Sequence, residues 1–297
     1  MIETILEHVC RIPYWVSWLT SQQRLGQRQS HIRGGGLEFN QIKVHQAGEG
    51  IRRVNWAATA RHGGTSLFVN SYYEEKDLLV MLLVDLSASM DFGSRRVTKK
   101  GLAAEISASL VYSALAHRDR VGLLGFTSDV ACYFPPRQSR VYQWMIPEAI
   151  LHFDSTRAQA NFWAAATGLD QYLKRRALVF LVSDYLTDDV DDLSRALSWL
   201  QRKHDLISLH VVDPRETGFP SARGSIVARD LETGKVASYN LSRRNQRSMA
   251  AMAEMRQERL QHMMQQLAVA HVTVTPDSDY AADITQMFLT FRGRGKR

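Results

Sequence analysis

The stretch LLVMLLVDLSASM, residues 78–90, decides how this chain is read. Its seven consecutive apolar residues, 78–84, are too few for a helix spanning a core and far too few for a membrane span. Unbroken apolarity over that length suits a strand covered on both faces, as parallel strands are. The run stops at a carboxylate, Asp85, followed by two hydroxyls, Ser87 and Ser89. In open α/β sheets ligands bind outside such carboxyl ends, where the strand order reverses.

Downstream, strand and helix patterns alternate. Leu102, Ile106, Leu110 and Ala114 recur every four positions, with Val111 and Leu115 beside them, which predicts a helix over 98–117 with one apolar face. A strand is expected over 121–126, and Pro135-Pro136 ends the segment after it. Helices follow over 142–151 and 161–174. A second short apolar strand, 177–182, leads into Ser183-Asp184. Then come a helix over 190–203, a strand over 206–212 and a hairpin over 225–241 turning at Glu232-Thr233-Gly234. A long polar helix (243–268), a strand (271–275) and a final helix (280–291) complete the pattern. The alternation argues for an α/β fold, a mostly parallel central sheet with helices on both faces and a small β-hairpin insertion.

Upstream the character differs. Ile5, Leu6, Val9, Ile12, Trp15, Val16 and Leu19 have helical spacing, interrupted at Pro13. A polar segment (21–30) and three glycines (34–36) separate them from an expected strand at 37–44, with a turn at Gly48-Glu49-Gly50. The expected organisation is an N-terminal helical extension (1–36), a segment packing on the main domain (37–77) and the α/β domain (78–297).

Composition excludes other classes. In 297 residues, 45% are apolar and 23% charged, the balance of an ordinary globular chain, not of a disordered, collagenous or coiled-coil one. Cys10 and Cys132 can neither frame a disulfide scaffold nor form a metal-type pair. With no basic–apolar–small-residue leader visible, a reducing, cytoplasmic home is expected. The net charge of +7 is partly local: from Asn240 onward there are nine basic and five acidic residues. The tail Arg292, Arg294, Lys296 and Arg297 reads as a solvated end, not a nucleic-acid surface.

If the two polar strand ends belong to neighbouring strands, about 4.8 Å apart, Asp85, Ser87, Ser89 and Asp184 converge into an all-oxygen cluster. A hard divalent ion such as Mg²⁺ takes such ligands. Two aspartates offset its charge, neutral serines leave it electrophilic, and an open position can accept a carboxylate from a protein partner. The plainer alternative is that Asp85 caps the following loop and the serines close a turn.

Asp85-x-Ser87-x-Ser89-Met90 resembles the metal-ion-dependent adhesion site of von Willebrand factor A domains. From about residue 30 onward the chain resembles a bacterial family built on that domain, the domain-of-unknown-function family 58. The similarity lies in Glu38-Phe39, Gly48, Arg52-Arg53-Val54-Asn55-Trp56, Thr59-Ala60-Arg61, Glu74-Glu75, Pro135-Pro136-Arg137, residues 178–185, Asp213-Pro214-Arg215-Glu216 and Asp230-x-Glu232-Thr233-Gly234. The resemblance implies a Rossmann-like von Willebrand A fold and a non-enzymatic protein-binding role beside a MoxR-type AAA+ ATPase. It also implies that Ser87 and Ser89 bind the ion directly and that Asp85 and Asp184 act mainly through water. The family's further threonine ligand would fall near Ala160-Asn161, where none stands; Thr156, four residues early, is the nearest. Gly48-Glu49-Gly50 also departs from the family, which tends to have acidic residues after that glycine. Arg52, Arg53, Trp56 and Arg61 form either a surface that contacts a partner or a clasp, with Trp56 packed and the arginines paired to Glu74 and Glu75.

Enzyme readings fare worse. The chain has no phosphate-binding Gly-x-x-x-x-Gly-Lys-Ser/Thr loop and no His-Glu-x-x-His. Ser87 stands where an aspartyl-phosphate enzyme wants a second aspartate. His117, His152, His204 and His210 lack a nucleophile partner, and Met263-Met264 read as packing residues. The competing class is a metal-dependent hydrolase using the same acidic cluster to activate water.

Overall fold

The computed structural model describes residues 37–45, 54–63, 66–74, 78–156, 158–187, 189–217, 224–232 and 234–294. The expected helices within 1–36, the turn at 48–50, Arg52, Arg53, Glu75 and the last residues of the basic tail lie outside them. The chain divides into two compact units, and the described residues up to 74 belong to one and those from 78 onward to the other.

In the first unit, β1 (Leu37–Val44) pairs antiparallel with β2 (Phe68–Glu74), Val44 opposite Phe68 and Leu37 opposite Glu74. A short helix, α1 (Trp56–Arg61), stands between them, and Asn55 Oδ1 accepts from Ala58 N at 3.0 Å to cap it. β1 was expected. β2 and α1 were not, because Asn70-Ser71 breaks the apolar alternation of β2 and six residues are too few for helical periodicity. Trp56 is 63% exposed.

The second unit holds a six-stranded sheet. Its strands are β3 (Leu79–Asp85), β4 (Arg120–Phe126), β5 (Val130–Arg137), β6 (Leu178–Ser183), β7 (Asp205–Val211) and β10 (Ala270–Val274), in spatial order β10-β7-β6-β3-β4-β5. All neighbours are parallel except the edge strand β5, which runs antiparallel to β4. The fold is therefore α/β with a mostly parallel central sheet. From β3 the chain steps to β4 and β5 on one side, then returns at β6 on the other. The order reverses between β3 and β6, the position at which such sheets bind ligands.

Six longer helices cover the sheet: α2 (Lys99–Ala116), α3 (Tyr142–Leu151), α4 (Phe162–Tyr172), α5 (Val190–Lys203), α7 (Arg243–Gln266) and α8 (Tyr280–Arg294); α6 (Pro214–Thr217) is a single turn. Alternate residues of β3 feed two cores because strand side chains point to opposite faces. Val80, Leu82 and Val84 pack with Leu102, Ile106, Ile146 and Phe288 from α2, α3 and α8. Met81 and Leu83 pack with Phe162, Leu169, Leu197 and Leu260 from α4, α5 and α7. β8 (Ser225–Arg229) and β9 (Val236–Asn240) form the hairpin.

Two expectations need correction. Helix α2 does not present one apolar face: residues 99–111 are all buried, since small residues on its other sides let neighbours approach all round. Pro135-Pro136 does not end a segment but lies inside β5. An edge strand tolerates proline because its outer side lacks a ladder. Gly122 opposite completes the arrangement, for a Cβ there would come within 2.5 Å of the Phe134 carbonyl oxygen.

His204, at the end of α5, is 3% exposed, and its Nδ1 finds no hydrogen-bond partner among the described residues. Burial pulls its pKa down to about 4; the nearby Asp170 opposes this and Lys203 and Arg176 assist it. Unfolded, the ring titrates near 6.5. As pH falls through that value the unfolded chain gains a proton that the folded chain refuses, so stability drains away down to about pH 4. Between pH 7.5 and 5 the loss assigned to this residue is on the order of 2 kcal/mol. His204→Gln is expected to flatten the pH dependence of urea unfolding by that amount. Identical slopes in the two proteins would refute it.

Candidate functional site

Asp85 ends β3, and its neighbour β6 ends at Ser183-Asp184. Ser183 Oγ donates to Asp85 Oδ2 at 2.6 Å, and Ser87 N donates to Asp85 Oδ1 at 2.9 Å. Asp85 thus both caps its own loop and crosses to the next strand, so the plainer reading is true in part. Ser87 Oγ and Ser89 Oγ lie 3.0 Å apart. A 3₁₀ turn at Ala88–Asp91 follows, and Ala88 N donates to the carbonyl oxygen of Ala158 at 2.8 Å, bringing the loop after α3 beside the serines.

All four side chains are nearly or wholly buried, Ser89 being the most exposed at 8%. Burial, and next the charge of Asp184, push Asp85 up to about 6. Directly after Asp184, Tyr185 adopts a left-handed backbone (φ 53°), costly for a bulky residue. Its ring stacks on Phe162 at 5.7 Å and its Oη lies 2.6 Å from Ser208 Oγ, contacts that hold this turn and aim Asp184. Behind it His210, in contact with Asp184, is held near 3 by burial and by His271.

The structure adds residues that sequence reasoning passed over. Lys99, the first residue of α2, is completely buried, and its Nζ donates to Asp184 Oδ2 at 2.6 Å and also to Glu216 Oε1. Burial opposes its charge, but Asp184 and then Glu216 outweigh it and hold the ammonium above the ordinary lysine range. The loop after β7 presents Glu216: Asp213 accepts from Ser94 N at 2.7 Å and from Arg215 N at 2.8 Å, which fixes the Asp213-Pro214-Arg215-Glu216 turn. Lys100 donates to the carbonyl oxygen of Phe153 (2.9 Å) and to Ser155 Oγ (3.0 Å) and pairs with Asp91. One signal could have found them. Two lysines with no acid in the first turn of a helix oppose its dipole and need carboxylates from elsewhere.

Thr156 is exposed and donates its hydroxyl to Asp154 Oδ1 at 2.5 Å; no hydrogen bond joins it to Asp85, Ser87, Ser89 or Asp184. The residue of that loop nearer the place where the family's threonine falls is Gln159, which with Ser89, Phe92 and Glu216 lines a cavity of about 590 Å³. A second groove of about 340 Å³ runs from Asp184, Tyr185 and His210 to Met252, Met255 and Leu260 on α7. Met264 is buried in the core and Met263 packs against it as expected, while Met263 also lines this groove. Arg61 is exposed in the separate unit.

The residues fit a hard divalent cation in three respects. The donors are all oxygen, and the 3.0 Å serine spacing matches the edge, about 2.9 Å, of an octahedron with bonds of 2.0–2.1 Å. Asp85, Asp184 and Glu216 against Lys99 also leave an excess of negative charge. Among the described residues no three His, Cys, Asp or Glu side chains group as metal ligands, so the serine hydroxyls would be indispensable.

A family model described as "Protein of unknown function DUF58" matches residues 41–261. "Uncharacterized protein Rv1480" of Mycobacterium tuberculosis is 26% identical over 284 residues, covering 93% of this chain and 88% of that protein. "Uncharacterized protein Mb1516" of Mycobacterium bovis matches equally. Among solved structures, the conserved hypothetical protein BatB from Bacteroides thetaiotaomicron is similar at 15% identity, with 73% of this chain and 99% of that one covered and a TM-score of 0.46. The SpRpn10 VWA domain is similar at 14% identity, with 71% and 94% covered and a TM-score of 0.41.

Proposed function

The chain belongs to the DUF58 family, and on that premise we propose that it is a non-enzymatic, von Willebrand factor A-like protein-interaction module. In this reading Ser87 and Ser89 hold Mg²⁺ or another divalent cation directly, with Asp85 and Asp184 oriented around it. A bound ion of this kind offers an open coordination position to an acidic side chain of a protein partner. The resemblance to the family makes a MoxR-type AAA+ ATPase the proposed partner, in the cytoplasm, in the assembly or maturation of other proteins. Arg52, Arg53, Trp56 and Arg61 are proposed as a second contact surface. Among the described residues no helix is long and apolar enough to cross a membrane.

The observation that carries the reading is the meeting of two strand ends at the reversal of strand order, with two serine oxygens 3.0 Å apart beneath a cavity. This chain's residues orient and neutralise. Ser183 and the Ser87 amide hold Asp85 in place, Tyr185 aims Asp184, and the loop carrying Gln159 borders the entrance.

Calorimetric titration of the purified chain with MgCl₂ is expected to show one site. Capture of the purified MoxR-type ATPase encoded in the same genome is expected with Mg²⁺ and not with chelator. Capture undiminished by chelator, or no heat of metal binding, would sink the reading.

A further inference from the structure

A lysine stands where an adhesion site needs free carboxylate. Both oxygens of Asp184 are engaged, Oδ2 by Lys99 Nζ at 2.6 Å and Oδ1 by Leu186 N at 3.1 Å. Lys99 is wholly enclosed, so its ammonium cannot retreat to water. It does have a second carboxylate, Glu216, whose side chain is 24% exposed at the rim of both cavities and whose Oε2 accepts from Asp213 N at 3.3 Å. The lysine is therefore a cation on a short tether, shared between an acid of the metal cluster and an acid outside it.

We infer that Lys99 is a resident competitor of the divalent cation. Its ammonium must yield Asp184 and lean on Glu216 before the cluster can take metal, so this lysine sets the affinity of the site. The inference rests on the metal reading proposed above and adds the device that regulates it. Two like charges around one carboxylate repel strongly in a buried setting, where solvent screens little. Glu216 gives the displaced ammonium a place to stay, and without it the lysine belongs to Asp184 alone.

The test is titration of the full chain with Mn²⁺, followed by calorimetry and by the loss of the free-ion electron spin resonance signal. Lys99→Met keeps the unbranched side chain out to Cε and removes the charged end; it is expected to bind Mn²⁺ some 10- to 100-fold tighter than the parent, the range by which groups next to metal ligands tune affinity. Glu216→Gln is expected to bind about 10-fold weaker. In the Lys99→Met background, Glu216→Gln should matter less, since no ammonium is left to be parked.

Should Lys99→Met fail to fold because the buried Asp184 loses its partner, Glu216→Gln decides alone, for it leaves the Lys99–Asp184 pair intact. Metal affinities equal to the parent's in the variants that fold overturn the inference and leave the metal site standing. Binding in Lys99→Met but not in the parent supports it, showing the lysine to exclude metal outright. No binding in any of the proteins overturns both.

Discussion

Asp85→Asn is expected to weaken Mg²⁺ binding by one to two orders of magnitude and to abolish metal-dependent capture of a partner, while the protein stays folded. The carboxylate is wholly buried and receives the Ser183 hydroxyl and the Ser87 amide. Asparagine keeps the shape and the oxygen facing the Ser87 amide, and the Ser183 hydroxyl can turn to accept from the new amide nitrogen. What is lost is one negative charge and the orientation it imposes on the serines. Groups of this supporting kind are worth 10- to 100-fold in metal affinity. Stability should change little, since burial and Asp184 already push Asp85 up to about 6 and a neutral side chain relieves that tension. Calorimetry with Mg²⁺ reads the first effect and urea unfolding the second. An unchanged affinity would remove Asp85 from the site, and a collapse in stability would make it a structural residue.

Phe180→Ala should have the largest effect on stability, about 3–5 kcal/mol. Phe180 is fully buried at the centre of β6 and meets the Phe288 ring of α8 edge to face, with centroids 6.3 Å apart. Its removal leaves a void between the sheet and two helices that the strand's ladders on both sides prevent from closing. Phe180→Leu retains most of the volume and should cost less than half as much. Because β6 delivers Asp184, the alanine variant should also weaken metal binding, and the leucine variant should not. Urea midpoints distinguish them; an alanine variant within 1 kcal/mol of the parent would show that the core can collapse there.

Much of the architecture was legible. The helix over 190–203, the strands β3, β4, β6, β7 and β10 and the hairpin lie within a residue or two of their expected places, whereas no strand was expected at β5. Each announces itself through local periodicity or turn residues. The errors share one cause, neighbours that local patterns do not show. Helix α2 is buried all round because α3 and the sheet close on small residues that a one-face reading ignores. Pro135 and Pro136 sit in a strand because that strand is at an edge and faces Gly122. Apart from these, Thr156 lies near the expected threonine in sequence, and its hydroxyl donates to Asp154.

By itself the sequence determined an α/β chain with two apolar strands ending in oxygen-bearing side chains, since hydrophobic period and strand composition depend on residues only a few positions apart. Only the tertiary structure decided that β3 and β6 are neighbours, that Ser183 ties their ends together, and that a buried ammonium sits beside them. Lys99 lies 85 residues from Asp184 and 117 from Glu216. Electrostatic pairing across such separations is set by the order in which strands assemble; the two lysines in the first turn of a helix signal a need for carboxylates, but no local pattern names which ones.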